Sequence, residues 1–438
     1  MKSSTHPGSA SLWRDARFLR FWTGQTISQF GDRVSELALP LLAVASLHAT
    51  AVQVSILTAL IWTPNLLAIF LGTWVDQQQR KRRLMILADL LRAAALITLP
   101  AVYLLGTVTI GQLYAVALVT GAAGVLFNNA YSPFFAHLVP RSSYIDANSK
   151  LSTSRSASYV AGPAIGGALI QAFTAPVAVI ADALSFLASA MLIGQTTVDE
   201  SEVAPSEPSE GSMIARSWQG LAFIVRHPVL KATIGCCTTV NFFTFIANGL
   251  TVFFASHVLA LSAGTIGLAF GAGATGSLLG AVLAPRISRR LGVGWTICLG
   301  AVLFPAPIAI IAAAGGPVWL RAGALTAAEF IGGIGVMLFD INLNSLETSV
   351  IPDAMRSRVS GAYNTVNYGV RPLGAVVGGL LGTLLGIRAT LLIAALGGSL
   401  CVLWLLPSPI RSVRTLEPEE SATRVGTQAE SAGIASPA

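Results

Sequence analysis

The sequence predicts an all-α membrane protein: twelve transmembrane helices arranged as two pseudo-symmetric six-helix bundles. Three observations carry this. Of 438 residues, 53% are hydrophobic and 11% charged, with a mean hydropathy of +0.69, whereas soluble domains carry about 25% charged residues. The apolar residues fall in runs of the length, about 20, that a helix rising about 1.5 Å per residue needs to cross a hydrocarbon core about 30 Å thick. The two halves of the chain also repeat one another. This composition excludes a soluble enzyme. The net charge of +7 comes in short clusters between apolar runs rather than in one patch, which argues against nucleic-acid binding. Long runs without heptad spacing exclude coiled coil and disorder.

In chain order, residues 1–17 form an N-terminal tail whose Arg14 and Arg17, with Arg20 just beyond, precede the first apolar run. No small-residue cleavage site follows that run, so it is a span and not a removable leader. The first six spans lie at 18–47, 52–75, 84–105, 111–138, 148–172 and 176–196, and make the N-terminal bundle, 18–196. Residues 197–228 are a linker. Its segment Asp199 to Ser212 is acidic and rich in Pro and Ser, which predicts flexibility, and Met213 to Arg226 mixes apolar and basic residues as a helix at the membrane interface does. The C-terminal bundle, 229–407, holds spans at 229–258, 264–284, 294–314, 318–350, 360–387 and 389–407, and residues 408–438 are expected to be a disordered tail. Of the 27 Lys and Arg, 21 fall on the side of the N-terminus, only Arg321 and Arg388 on the other, and Arg33, Arg92, Arg155 and Arg371 within spans. The positive-inside rule therefore places both termini in the cytoplasm. The four cysteines lie inside apolar runs without metal-ligand spacing and read as packing residues.

The halves align directly. Gly121 to Pro140 matches Gly333 to Pro352 at a constant shift, with Phe127 meeting Phe339, and Tyr159 and Pro163 resemble Tyr368 and Pro372. A duplicated bundle puts a substrate pathway between the halves, near the midplane, and lets them rock in alternating access.

On these residues the chain resembles the major facilitator superfamily, from Arg14 to about Pro407. The loop after span two is similar to that family's Gly-x-Leu-Ala-Asp-Arg-x-Gly-Arg-Lys signature at Gly72, Asp76, Arg80 and Lys81, with Gln77 and Gln79 departing from it. Span five carries Gly162, Pro163, Gly166 and Gly167, similar to the Gly-Pro-x-x-Gly-Gly signature of the superfamily's exporters. Span one, from Gln25 through Asp32 to Pro40, looks most like the secretion and drug-efflux branch that contains macrolide and siderophore exporters. The resemblance implies the major facilitator fold, efflux, and a cytoplasmic gate in which Asp76 meets a helix of the other half. The basic residue that exporters often carry in span four is missing, since Leu113 to Thr120 is uncharged.

An ionisable residue in mid-bilayer costs about 2.5–3.5 kcal/mol on insertion scales, so each one needs a reason. Asp32 and Glu36 share one helical face with Arg33 between them, Asp32 about 18 Å beyond Arg20. They read either as a proton-coupling site or as an ion pair with Arg33 that fixes packing. Glu329 is a further proton-site candidate, and falls on one stripe of span ten with Asp340, Asn344 and Glu347. Arg371, also near the midplane, is expected to pair with Asp32, Glu36 or Glu329. Asp89 and Arg92, three apart, read as a local salt bridge orienting the gate loop. Asp182 reads as a hydrogen-bonded packing residue. Asn128, Asn129 and Tyr131 of span four, with Asn241, Phe245 and Asn248 of span seven, suggest an amphipathic cavity together with Asp340 and Asn344. A mostly apolar site of that kind suits a lipophilic cargo.

No nucleotide-binding loop, metal cluster or catalytic nucleophile appears. The expected function is secondary active export of a hydrophobic or amphipathic small molecule, such as a drug, antibiotic or siderophore-like compound, by proton antiport. It needs no cofactor and no metal. The expected partners are the cargo, protons and the lipid bilayer, with no nucleic acid, in a monomeric, multi-pass protein of the inner (cytoplasmic) membrane. Uptake or facilitated diffusion by the same fold is the alternative, and a non-transporting scaffold or sensor fits the repeat less well.

Overall fold

The computed structural model describes residues 12–140, 143–196, 213–352 and 355–414, apart from the side chains of Ile69, Thr73, Asp76, Ile145, residues 213–218, Arg356 and Ser357. The acidic linker at 199–212 and the chain from 415 onward lie outside the described residues.

Helices dominate, and among the described residues four α-helix starts carry a side-chain cap, at Asp15, Thr50, Thr109 and Ser262. Asp15 accepts from the backbone N–H of Arg17 at 2.8 Å and opens α1, Ala16–Leu47. Thr50 and Gln53 form a reciprocal capping box at the start of α2, Ala51–Trp62, which satisfies N–H groups left over by the first turn. Pro64 then removes a donor, and a 3₁₀ turn at Thr63–Leu67 separates α2 from α3, Ala68–Gln77. The N-terminal half continues with α4, Lys81–Leu104, α5, Ile110–Leu138, α6, Tyr144–Ala172, and α7, Ala175–Gly194. The helix α8, Met213–Arg226, is followed by α9, Pro228–Phe253, α10, Ala263–Leu291, α11, Val293–Leu303, and α12, Ile308–Ala313. The last four are α13, Val318–Val350, α14, Arg356–Leu384, α15, Ile387–Ser399, and α16, Val402–Leu405. Gly292 and Gly386 turn the chain between helices with φ of 89° and 84°, a region open mainly to glycine.

Among the described residues, eight segments are long and apolar enough to cross a bilayer unaided: α4, α5, α7, α9, α10, α11 with α12, α13, and α15 with α16. The other four crossings are α1, α2 with α3, α6 and α14, which makes twelve. These four are interrupted or polar. They stand where the halves face each other: α6 packs on α10, α14 on α2, and α1 and α2 reach α9. Exchanging the halves converts the α6 and α10 pair into the α14 and α2 pair, so the repeat in the sequence is a pseudo-twofold axis in the fold.

In lipid, apolar side chains gain little by leaving the hydrocarbon, and helices associate through close packing of small residues. A Cβ on Gly276 would lie 2.1 Å from the Phe330 carbonyl, and one on Gly333 would lie 2.1 Å from the Gly273 carbonyl, so α10 and α13 touch backbone to backbone. Cys236, Cys237, Cys298 and Cys401 are free and buried in one apolar cluster with Val240, Ile297 and Phe339.

The tail expected to be disordered from residue 408 is ordered as far as Arg414. Ile410 is fully buried, and the carbonyls of Val413 and Arg414 accept from the N–H groups of Gly294 and Val293 at the start of α11. An apolar anchor and two backbone acceptors hold this stretch where composition alone reads as polar tail. The helix α8 docks on the C-terminal half, with Gly220 against the Arg358 carbonyl and Arg358 donating to Gln219 Oε1 at 3.0 Å.

Candidate functional site

The halves touch closely at one end. A Cβ on Gly167 of α6 would lie 2.5 Å from the Ala263 carbonyl and 3.0 Å from Gly267 Cα. Beside it Gln171 Oε1 accepts from Gly264 N–H at 3.0 Å and from Ser262 Oγ at 3.3 Å. The symmetry-related contact seats Ser55 and Val52 of α2 on Gly379 of α14, with Gly249 of α9 also against Ser55. A shallow cavity of about 350 Å³, lined by His48, Phe253 and His257 among others, lies at this same end. Towards the end where α1 begins, Ser152, Thr153, Arg155, Ser156 and Tyr159 of α6 are exposed, so the other half leaves this part of α6 uncovered, while on the symmetry-related side Leu66 still lies against Gly369 of α14.

Asp32 and Glu36 sit in the middle of α1, half-exposed, at 41% and 58%. Arg33 between them donates to Glu36 at 2.6 Å and lies 4.2 Å from the centre of the Tyr159 ring on α6. Asp32 instead faces Arg92 of α4, at 3.9 Å. Arg92 is buried, pairs with Asp89 at 2.7 Å, and lies over the rings of Phe186 and Phe127 at 4.2 and 4.8 Å. The i, i+3 spacing thus forms its local salt bridge, and Arg92 also ties α4 to α1. Asp182, buried on α7, accepts hydrogen bonds from Ser35 of α1 and from Ser185, the latter at 3.1 Å. Gly31 leaves the room: a Cβ there would lie 2.3 Å from Asp182 Oδ1.

Arg371 corrects an expectation. Among the described residues it forms no ion pair, and none of Asp32, Glu36 and Glu329 is its partner. Its Nε donates to Asn241 Oδ1 at 3.0 Å, and its guanidinium lies 4.3, 4.4 and 5.0 Å from the ring centres of Trp62, Tyr368 and Phe245. Counting residues from Arg358 gives its depth but not its direction around α14, which faces α9 and α2. Glu329 is packed beside Gly273 of α10. Asp340 is half-buried, and Asn344 is exposed with its amide turned back to the Asp340 carbonyl at 2.8 Å.

The remaining cavity candidates divide. Asn241 and Phe245 meet at Arg371, and Asn128 and Asn248 are exposed. Asn129 donates to the Val125 carbonyl at 2.9 Å and lies against Gly72 of α3, so it fastens α5 to α3. Tyr131 stacks on Phe135, with ring centres 6.0 Å apart, inside the core of the N-terminal half. Around the loop between α3 and α4, Lys81 Nζ reaches the Val75 carbonyl and Arg82 the Gly194 carbonyl, which binds the start of α4 and the ends of α3 and α7 together. Arg80 is exposed. The Asp76 side chain lies outside the described residues.

Residues 21–375 match the family profile described as Major Facilitator Superfamily. The chain belongs to that superfamily. It is 27% identical over 378 residues to the uncharacterized MFS-type transporter YfiS of Bacillus subtilis strain 168, covering 84% of this chain and 87% of that protein. It is 25% identical over 392 residues to the multidrug efflux pump Tap of Mycolicibacterium fortuitum, covering 84% and 89%. Among solved structures, the nucleoside transporter NupG superposes with a TM-score of 0.71 at 12% identity, over 89% of this chain and 98% of that one. A bacterial homologue of the iron transporter ferroportin, in an inward-facing state, gives 0.71 at 16%, over 92% and 100%. At such identities these two speak for the fold alone.

As a major facilitator, the chain is a multi-pass membrane transporter. The glycines of its span-five motif have separate seats. A Cβ on Gly162 would strike the Arg33 side chain at 2.5 Å, one on Gly166 would meet Val34 Cα at 3.1 Å, and Gly167 faces α10. The motif therefore lets one helix of this major facilitator lie against α1 of its own half and α10 of the other. Sequence reading missed Trp62 and gave Tyr159 and Tyr368 no role beyond the repeat. The signal was present: both tyrosines precede a proline by four residues, and each ring lies under a guanidinium.

Proposed function

We propose that this transporter exports a hydrophobic or amphipathic small molecule from the cytoplasm in exchange for protons, by rocking its two halves. The observation that carries the reading is that the halves close at Gly167 and Gly379 while Asp32 and Glu36, beyond that closure, stay half-exposed. With both termini in the cytoplasm, a reading that the distribution of Lys and Arg supports, the open side faces the cytoplasm of a bacterial inner membrane. A cargo then enters between the halves from inside. Asp32 exchanges a proton against its loose contact with Arg92: when it is protonated, Arg92 keeps Asp89 alone, and the tie between α1 and α4 slackens. Glu36, held by Arg33, and Glu329 are the further coupling acids, and Asp76 with Arg80 and Lys81 forms the cytoplasmic gate. The direction follows the exporter-like glycine motif and the relatives named multidrug efflux pumps. The protein acts as a monomer, each chain holding its own pathway.

The test is expression in a pump-deficient bacterium with a panel of antibiotics and dyes. Accumulation of at least one compound should fall, and both a protonophore and Asp32→Asn should restore it. Raised accumulation would point to uptake instead, and export indifferent to both treatments would remove the coupling role of Asp32.

A further inference from the structure

We propose that Arg371 and the rings around it recognise the acidic group of an amphipathic cargo, a carboxylate or sulfonate borne next to a flat apolar ring. The inference rests on the export reading and narrows its substrate class.

A guanidinium offers five N–H donors in one plane, a fork that matches the two oxygens of a carboxylate. In Arg371 only Nε is engaged, by Asn241. Neither terminal nitrogen has a hydrogen-bond partner among the described residues, and neither is sealed from solvent as an orphaned buried atom. The outer edge of the fork is therefore open. Its plane is held in place: Trp62 comes from α2, Phe245 from α9 and Tyr368 from α14, with Trp62 edge-on to Phe245 at 5.3 Å and 6.1 Å from Tyr368. A cation fixed by rings is ready for an anion without first paying to be ordered.

The same rings offer flat apolar surface beside the fork. A molecule with an acid on an aromatic body fits both features at once, whereas a neutral sugar or a lipophilic cation fits only one. The position suits transport, because Trp62 belongs to one half and Arg371 to the other, so a ligand held here feels the halves move. Asp340 of α13, half-buried, is an acid near enough for its charge to be felt by Arg371, and it forms no ion pair with Arg371 among the described residues. It opposes a bound anion and keeps the site weak enough to release one.

The test uses three probes on one scaffold, 1-naphthoate, 1-naphthamide and 1-naphthylmethylammonium. Their binding to the full-length protein is measured in phosphatidylcholine nanodiscs by equilibrium dialysis. A charge-assisted fork contact predicts naphthoate bound about tenfold more tightly than the amide, and the ammonium weakest. Arg371→Gln should equalise naphthoate and amide, Arg371→Lys should keep part of the preference, and Asp340→Asn should strengthen naphthoate binding severalfold. Equal binding of the three probes by the wild type, or a preference that survives Arg371→Gln in a monodisperse protein, would overturn the proposal. Should Arg371→Gln fail to fold, an Asp340→Asn variant with no gain for naphthoate overturns it equally. Repeating the binding with phosphatidylglycerol in the disc separates the two sources of an oxyanion. Loss of naphthoate binding there assigns the fork to a lipid phosphate and overturns the cargo proposal, whereas retained binding supports it. Charge-blind binding with export intact ends this inference alone, and a naphthoate preference without any export ends the export reading alone.

Discussion

Arg92 of α4 holds Asp89 of its own helix at 2.7 Å and reaches Asp32 of α1 at 3.9 Å. One buried cation thus serves a fully buried acid and a half-exposed one. Removing the cation strands Asp89, and breaking such a buried pair costs about 3–5 kcal/mol. Arg92→Met should lower the unfolding temperature in detergent markedly, and adding Asp89→Leu should recover most of the loss. A single variant as stable as the wild type would show that Asp89 has another partner.

Asp182 accepts hydroxyl donors from Ser35 and Ser185 in a dry contact between α1 and α7. Asp182→Asn keeps an acceptor and should cost little. Asp182→Leu leaves two buried hydroxyls unpaired, at about 1–3 kcal/mol each. Thermal unfolding of the two variants side by side checks the order, and a leucine variant at least as stable as the asparagine one would contradict it.

Gly167 admits no side chain in the closed arrangement, since a Cβ would lie 2.5 Å from the Ala263 carbonyl. Overpacking of this kind costs about 1–3 kcal/mol, enough to shift a two-state population about 5- to 150-fold. Gly167→Val should therefore part the halves at this end. Leu41→Cys, buried there against Ile246 and Leu250, reports it through faster reaction with a membrane-impermeant maleimide in the Gly167→Val background. Unchanged labelling would mean that the glycine contact is not what holds the end shut.

Ile410 anchors the chain after the last crossing, with the backbone of Val413 and Arg414 paired to α11. A chain ending at Arg414 should unfold at the wild-type temperature. A chain ending at Pro407 should unfold earlier, since loss of a buried isoleucine side chain alone costs about 2–5 kcal/mol. Equal stability of the two truncations would deny the anchor any role.

Most of the fold was legible because membrane solvation leaves a coarse record: apolar runs of one length, basic clusters between them, and a repeat. The crossings that evade a simple hydropathy test are α1, α2 with α3, α6 and α14; they reach the other half, as do α9 and α10, which pass the test, and α2 is also broken at Pro64. The place of the candidate residues along their helices was legible, but not the direction in which their side chains point. Residue counting put Asp32 and Arg371 near the middle of their helices, yet partners depend on rotation about the helix axis and on how neighbouring helices lean. Arg92 therefore took the contact with Asp32, and Arg371 went to Asn241 and three rings. Trp62 was hidden because it ends α2 just before the Pro64 break, a position that only the bend brings under Arg371. Tyr131 and Asn129 were polar enough to suggest a cavity, but pack within their own half.

The central claim is that cargo and protons exchange through this one pathway. The direct measurement is proton movement in proteoliposomes carrying a trapped pH-sensitive dye, on imposing a gradient of a compound that the protein exports from cells. The account predicts proton flow opposite to the cargo, abolished by Asp32→Asn and absent from empty liposomes. Cargo movement that proceeds at the same rate with or without a pH gradient, and carries no protons, would contradict it.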